Sequence, residues 1–247
     1  MLMCIGDVHG RTFWKNAVRQ EFDNVDKVIF LGDYVDPYPW ENITRMDAIR
    51  NFEEIVDFAS NNKDKVVLLW GNHDTPYVYK RDFYTRVRYD SSHAHKIGEI
   101  FRSHMSLFKL AHEENINDKQ YLFTHSGLLY EWYENHKDLI GDLTVDNLNR
   151  LIKTQPGRKA LCEISFYRGG YDEWPSILWG DLHEFGEIIQ ADKSINENIP
   201  WDYQVLGHTQ LKDKPVIEKE FACLDCRKAF IIESNGDIKK IEESKNN

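Results

Sequence analysis

Three short apolar runs, at residues 3–5, 27–31 and 66–70, each stop at a glycine that is followed at once by Asp or Asn. Runs of this length, rich in β-branched and bulky residues and bounded by glycine, have the character of strands buried on both faces. Between them, residues 12–22 and 44–59 carry apolar side chains at helical spacing, and Thr44 with Asp47 three positions on forms a capping pair for the second stretch. Strand, helix, strand, helix, strand is the grammar of a parallel sheet, because parallel neighbours need a crossover between them.

Each strand runs into a block of polar side chains: Gly6-Asp7-Val8-His9-Gly10, Gly32-Asp33-Tyr34-Val35-Asp36 and Gly71-Asn72-His73-Asp74. Two further strands are expected, Tyr121-Leu122-Phe123 leading to Thr124-His125-Ser126-Gly127, and residues 203–206 leading to Gly207-His208-Thr209. In open α/β sheets ligands gather outside the carboxyl ends of strands, so the five blocks are expected to converge. Asp7 and His9, two apart on an extended segment, face the same way and can chelate one ion. The mixture of carboxylate, imidazole and amide suits Mn, Fe or Zn better than Ca, which prefers oxygen alone.

A chain of 247 residues can bury a full core in one domain, and no linker-like composition divides it, so a single domain spanning 1–247 is expected. The formal net charge of −10 argues against general nucleic-acid binding. It does not exclude a phosphate substrate, because bound divalent ions would invert the local field. No apolar run reaches 18 residues, and the first one meets Asp7 too early for a signal-peptide core. Four scattered cysteines, Cys4, Cys162, Cys223 and Cys226, do not make a disulfide framework; Cys223 and Cys226 read as core packing. A cytoplasmic setting with no membrane attachment is expected.

Taken together and in this order, the five blocks resemble the calcineurin-like metallophosphoesterases, and within them the phosphoprotein (serine/threonine) phosphatase type with its compact phage and bacterial members. The resemblance implies an α/β four-layer α/β/β/α sandwich, two mixed β-sheets flanked by helices. It implies two divalent metal ions, Mn first and Fe or Zn as alternatives: Asp7 and His9 on one, Asp33 bridging, and Asn72, His125 and His208 on the other. His73 and Asp36 then take the place of the family's acid pair, the carboxylate orienting an imidazole that protonates the leaving oxygen after in-line attack by a metal-bridging hydroxide. The fifth block, Gly207-His208-Thr209-Gln210, lacks the second histidine of the superfamily's nucleases and so favours the phosphatase branch.

One departure matters. The family's second block continues Asp-Arg-Gly, the arginine holding the substrate phosphate, but Asp36 is followed by Pro37-Tyr38-Pro39. A substitute guanidinium is expected, since bidentate arginine suits phosphate. Arg168 is the first candidate and Arg227 the second. His95, with Arg86 and Arg88 near it in sequence, stands out weakly from the remaining histidines. Tyr34, Tyr38, Trp40 and Tyr77 fall on the loops after the second and third strands, where a substrate would enter.

The expected activity is phosphomonoester hydrolysis, with phosphorylated protein or a small phosphomonoester as the partner. The alternatives are a dinucleoside polyphosphate hydrolase or nucleic-acid end phosphatase, with aromatics stacking a base, and a non-catalytic scaffold that keeps the fold. Residues 80–117 read as helical with a polar face, residues 131–200 as irregular, and the runs after Gln210 as antiparallel strands closing the fold.

Overall fold

The computed structural model describes residues 1–80, 82–83, 87–191 and 193–242. Strands β1 (Leu2–Ile5), β2 (Lys27–Phe30) and β3 (Val66–Leu69) form where the apolar runs place them. They pair in parallel, Met3 beside Val28 and Ile29 beside Val67. The crossovers are α1 (Phe13–Glu21) and α2 (Arg45–Asn61), the second capped by Thr44 Oγ1, which accepts the Asp47 N–H at 3.0 Å. After α3 (Thr75–Tyr79) and α4 (Ala94–Ser103), β4 (Phe108–Lys109) joins β3.

The chain then starts a second sheet with β5 (Ala111–Ile116) antiparallel to β6 (Lys119–Thr124). Short helices α5 (Tyr130–Asn135), α6 (Lys137–Ile140), α7 (Val145–Arg150) and α8 (Gln155–Ala160) follow, then α9 (Leu182–Gln190) with an Asp181–Glu184 capping box. Strand β7 (Tyr203–Leu206) lies parallel to β6, and β8 (Val216–Ile217) and β9 (Phe221–Cys223) complete this sheet in the order β5-β6-β7-β9-β8. Strands β10 (Ala229–Ile232) and β11 (Ile238–Lys240) return to the first, ordered β11-β10-β1-β2-β3-β4.

Side-chain alternation along the strands divides the core into layers. Leu2, Cys4, Ile29, Val67 and Leu69 of the first sheet cluster with Tyr121, Phe123, Tyr203, Val205 and Ala222 of the second, so the two sheets pack face to face. The opposite face of the first sheet, Met3, Ile5, Val28, Phe30 and Leu68, packs on Trp14, Ile49, Phe52, Ile55 and Val56 of α1 and α2. Leu206, Phe221 and Cys223 meet Phe185 of α9 on the far side of the second. This is the expected four-layer α/β/β/α architecture.

Three stretches differ from expectation. Residues 80–117 are helical only in part, because β4 and β5 occupy 108–109 and 111–116; the alternating burial of β5 belongs to an edge strand with one wet face. Residues 131–200 contain α5 to α9, most of them too short for a period to register in sequence. After Gln210, β10 and β11 are antiparallel as expected, but the run at 216–224 divides into β8 and β9, antiparallel to each other, and β9 lies parallel to β7. Among the described residues no helix is long and apolar enough to cross a membrane.

Candidate metal centre

The five blocks meet because the turn after each strand bends the chain back over the strand end. His9, Asp33, Asp36 and His208 all take left-handed backbone, with φ of 44°, 55°, 61° and 64°. Such conformations cost non-glycine residues about 1–3 kcal/mol each and persist where the surroundings fix them. Here the turns fix one another: the N–H groups of Val8 and His9 both donate to the Asp33 carbonyl, at 3.1 and 2.7 Å, and Gly207 N donates to the His125 carbonyl at 2.8 Å. The neighbouring glycines are required by closeness. A Cβ at Gly71 would lie 2.1 Å from Asp33 Oδ1, and one at Gly207 2.4 Å from Asp7 Oδ1.

Two donor groups result, and they share Asp33. His9, Asp33 and His73 bring one ligand atom each to within 4.8 Å of one another, as do Asp33, His125 and His208. On the first side His9 Nε2 lies 3.4 Å from Asp33 Oδ2 and 4.0 Å from Asp7 Oδ2. Asp7 Oδ1 accepts the His208 N–H at 3.0 Å, which leaves Oδ2 to face inward. On the second side His125 Nε2 lies 2.9 Å from Asn72 Oδ1, 3.1 Å from His208 Nδ1 and 3.6 Å from Asp33 Oδ1.

Tautomers follow from the outer bonds. His9 Nδ1 donates to the Val35 carbonyl at 2.9 Å and His125 Nδ1 to the Leu31 carbonyl at 2.7 Å, so each Nε2 carries a bare lone pair in the neutral ring. Burial pushes all three imidazoles of His9, His125 and His208 down, keeping them neutral at neutral pH. Lone pairs aimed at one another across about 3 Å repel unless a proton or cation lies between them. Buried, neutral imidazoles gathered with a carboxylate and an amide oxygen therefore fit a divalent transition-metal ion. Burial, with Asp225 and Asp33 beside it, raises the Asp7 carboxyl well above the usual range, a further sign of negative charge in need of a cation.

His73 Nδ1 donates to Asp36 Oδ2 at 3.1 Å and approaches the Arg88 carbonyl at 3.2 Å. The ring therefore turns its other nitrogen toward His9 and Asp33, edge to face with the His9 ring at 4.9 Å. Asp36 takes a second hydrogen bond from the Tyr77 hydroxyl. The expected pair is thus in contact and buried.

The arginines divide. Arg168 reaches the second side, donating to Thr209 Oγ1 at 2.7 Å and pairing with Asp181 at 2.6 Å. Arg227 instead lies on Glu41 at 3.4 Å and, among the described residues, makes no ion pair with the cluster. Arg88, singled out above only as a neighbour of His95, is at the centre: its Nη2 lies 3.4 Å from His9 Nδ1 and its guanidinium 3.6 Å over the Tyr38 ring. His95 is an exposed helix residue, and Arg86 lies outside the described residues.

Of the four aromatics expected at the entrance, Tyr34 is in the core, stacked on Phe52 at 5.3 Å, and Tyr77 is buried beneath Asp36. Tyr38 and Trp40 do flank the centre, Tyr38 edge-on to His9 at 5.1 Å and Trp40 68% exposed. Trp179 stands 5.9 Å from the His208 ring, edge to face. Cys223 and Cys226 are buried, and Cys223 donates to the Gly207 carbonyl at 3.2 Å.

Two residues carry more of the site than their sequence suggests. Asp74 accepts the N–H groups of Asp33 and Gly71 on one oxygen, at 2.9 and 2.8 Å, and that of Tyr34 on the other at 3.0 Å. Asp225, buried beyond β9, has its carboxyl raised to about 7 by burial, with Asp33 adding to the rise and Arg11 and Arg227 opposing it. The acid in Gly-Asn-His-Asp was a signal for the first. Nothing in the motif pattern marks the second.

The calcineurin-like phosphoesterase model matches residues 1–185. The chain belongs to the calcineurin-like phosphoesterase family. Among curated proteins nothing matches this phosphoesterase. Among solved structures it is similar to a cold-active protein-tyrosine phosphatase of Shewanella sp., at 15% identity and a TM-score of 0.54 over 98% of this chain and 80% of that one. It is also similar to a protein serine/threonine phosphatase from Saccharomyces cerevisiae, at 15% identity and 0.50 over 100% and 81%. A hypothetical protein from Pyrococcus horikoshii matches at 8% identity and 0.51 over 98% and 88%. At these identities the likeness is one of fold. The phosphoesterase family uses divalent metals, and the shared-Asp33 donor groups are where this member could hold them.

Proposed function

We propose that this phosphoesterase is a metal-dependent phosphomonoester hydrolase acting on phosphorylated serine or threonine of proteins, in the cytoplasm and as one domain over residues 1–247. The observation that carries the reading is the pair of donor groups joined at Asp33, with a buried imidazole–carboxylate pair beside the first. Asp7, His9 and Asp33 would hold one divalent ion, and Asp33, Asn72, His125 and His208 a second, Mn being the first choice and Fe or Zn the alternatives. Two such ions would supply a nucleophilic water at neutral pH and neutralise phosphoryl oxygens.

The chain's own residues do the rest. His73, oriented by Asp36, donates the proton that the leaving oxygen needs, a contribution of roughly 10²–10⁴-fold. Neutral imidazoles at His9, His125 and His208 add no charge to repel a cation. Arg168, beside His208, offers its guanidinium to a substrate oxygen on the second side. The choice of a protein substrate is supported by the Gly207-His208-Thr209-Gln210 block, which resembles the phosphatase branch.

A second reading, hydrolysis of a dinucleoside polyphosphate or of an end phosphate on RNA, is favoured by the Tyr38–Trp40 pair, 4.8 Å between ring centres with Trp40 open to solvent, a platform on which a base could stack. Turnover of a phosphoserine peptide, diadenosine tetraphosphate and 3′-phosphorylated RNA at matched Mn concentration separates the readings. An inert peptide beside an active nucleotide would overturn the first. A non-catalytic scaffold would leave para-nitrophenyl phosphate untouched with every metal, whereas the enzyme reading expects turnover that Asp33→Asn abolishes.

A further inference from the structure

We infer that Arg88 is the guanidinium that holds the substrate phosphate on the His9 side of the centre, replacing the arginine that Pro37 excludes. The inference rests on the phosphoesterase reading above and adds to it a residue that no sequence motif indicates.

Charge comes first. Of the arginines packed around the centre, Arg11 puts Nε against both Glu41 oxygens at 2.9 and 3.1 Å, Arg45 pairs with Asp90 at 2.7 Å, Arg168 with Asp181 at 2.6 Å and Arg227 with Glu41 at 3.4 Å. Arg88 pairs with no carboxylate among the described residues. Its Nε and Nη2 donate instead to one neutral acceptor, the Asp36 carbonyl, at 3.2 and 3.1 Å. Its positive charge is therefore left for an anion from outside, in a chain whose net charge is −10.

Position comes second. The Asp36 carbonyl belongs to the peptide bond that joins Asp36 to Pro37, so the Arg88 guanidinium lies against the backbone of the very position where an arginine was expected and proline stands. Its close approach to His9 Nδ1 is not a hydrogen bond, because that nitrogen gives its hydrogen to Val35. Arg88 is thus placed beside His9 without competing for the nitrogen that faces Asp33. The same residue's carbonyl lies 3.2 Å from His73 Nδ1, so one short segment packs against both the phosphate-side cation's anchor and the imidazole meant for the leaving oxygen.

Preorganisation comes third. One edge of the guanidinium is bound to the carbonyl and one face lies on the Tyr38 ring at 3.6 Å, which together fix its plane. The other N–H groups pair with no carboxylate among the described residues, the Tyr38 hydroxyl alone lying within hydrogen-bonding reach there, and a fixed planar fork is the geometry that binds two phosphate oxygens at once. Arg11 is less suited to that place: its Nε is held by Glu41, its Nη1 by the Asp7 carbonyl, and its Nη2 is buried.

The test is titration of inorganic phosphate into the Mn-loaded protein, followed by calorimetry, with para-nitrophenyl phosphate kinetics in parallel. Arg88→Ala and the better shape mimic Arg88→Gln should weaken phosphate binding and raise KM about 10- to 100-fold, the worth of a charge-assisted hydrogen-bonded contact. Metal content and melting temperature should stay at the wild-type values, and free guanidinium ion at millimolar concentration should restore part of the Arg88→Ala loss. Unchanged phosphate affinity in either folded, metal-loaded variant overturns the assignment. So does a loss confined to the pH limb of the leaving-group acid, which would mean that Arg88 only positions Asp36 and His73. A wild-type protein that binds phosphate but hydrolyses nothing would instead sink the functional reading while leaving the Arg88 titration decisive.

Discussion

Tyr77 donates its hydroxyl to the Asp36 oxygen that His73 does not use, so one buried carboxylate is held from both sides. Burial and the Asp36 charge push the Tyr77 phenol up, which keeps it protonated and a donor. The same hydroxyl accepts the Asp90 N–H at 2.7 Å. Tyr77→Phe therefore strips a donor from Asp36 and an acceptor from Asp90 together. We expect a stability loss of about 1–3 kcal/mol, the cost of leaving buried polar groups unpaired, read by urea unfolding. Turnover should fall because the His73 ring is less firmly oriented, with bound metal unchanged; undiminished stability would show that Asp36 finds another partner.

His73 has two possible occupations, since its ring also comes within ligand distance of His9 and Asp33. The bond to Asp36 is compatible with either. The acid role predicts that His73→Asn lowers kcat by roughly 10²–10⁴-fold while bound metal, counted by elemental analysis, stays at the wild-type ratio. Loss of an equivalent of metal would move His73 to the ligand set.

Much of this centre was legible because its parts are short and local. A strand ending in glycine followed by Asp or Asn declares both a strand and a side chain at its carboxyl end, and Asp7, Asp33 and Asn72 sit where that rule puts them, while His125 and His208 come just after the apolar runs of β6 and β7. Arg88 was not legible as a site residue, because it belongs to no strand end and reaches the centre only through the packing of residues 87–90 over Asp36. Tyr34 and Tyr77 read as entrance aromatics because sequence places them on the correct loops but says nothing of the side to which the loop turns them. The helices between residues 130 and 160 are four to six residues long, too short for a 3.6-residue period to stand out.

Gly71 gives a prediction of steric kind. Its missing Cβ leaves room for Asp33, whose Oδ1 and N would lie 2.1 and 2.4 Å from such an atom. Neither neighbour can retreat, since Asp33 N is bonded to Asp74 and Oδ1 accepts the His73 N–H at 2.9 Å. Gly71→Ala should therefore shift the one residue common to both donor groups. We expect a folded protein destabilised by about 1–3 kcal/mol from overpacking, with bound metal and turnover both sharply reduced. Full metal occupancy in this variant would argue that Asp33 is not the bridge.

Asp225 and Asp7 supply the pH dependence. Burial raises the Asp225 carboxyl to about 7 and takes Asp7 well above its ordinary range. The buried His9, His125 and His208, neutral in the native state, bind fewer protons there than in the unfolded chain below about pH 6.5. At the two carboxyls the metal-free native state acts the opposite way, binding more protons than the unfolded chain, whose carboxylates titrate near 4. The stability these groups contribute is fully present below that value and is lost as pH rises through about 7. Melting temperatures of chelator-treated protein should accordingly fall between about pH 6.5 and pH 8, where the histidines are neutral in both states, and Asp225→Asn should flatten the decline. A divalent cation favours the ionised carboxylates, so metal binding should release protons near neutrality and tighten as pH rises. Calorimetry of Mn binding in two buffers of different ionisation enthalpy counts those protons. Proton uptake, or a metal-free protein that gains stability from about pH 6.5 to pH 8, would mean that Asp7 and Asp225 are already ionised before the ion arrives.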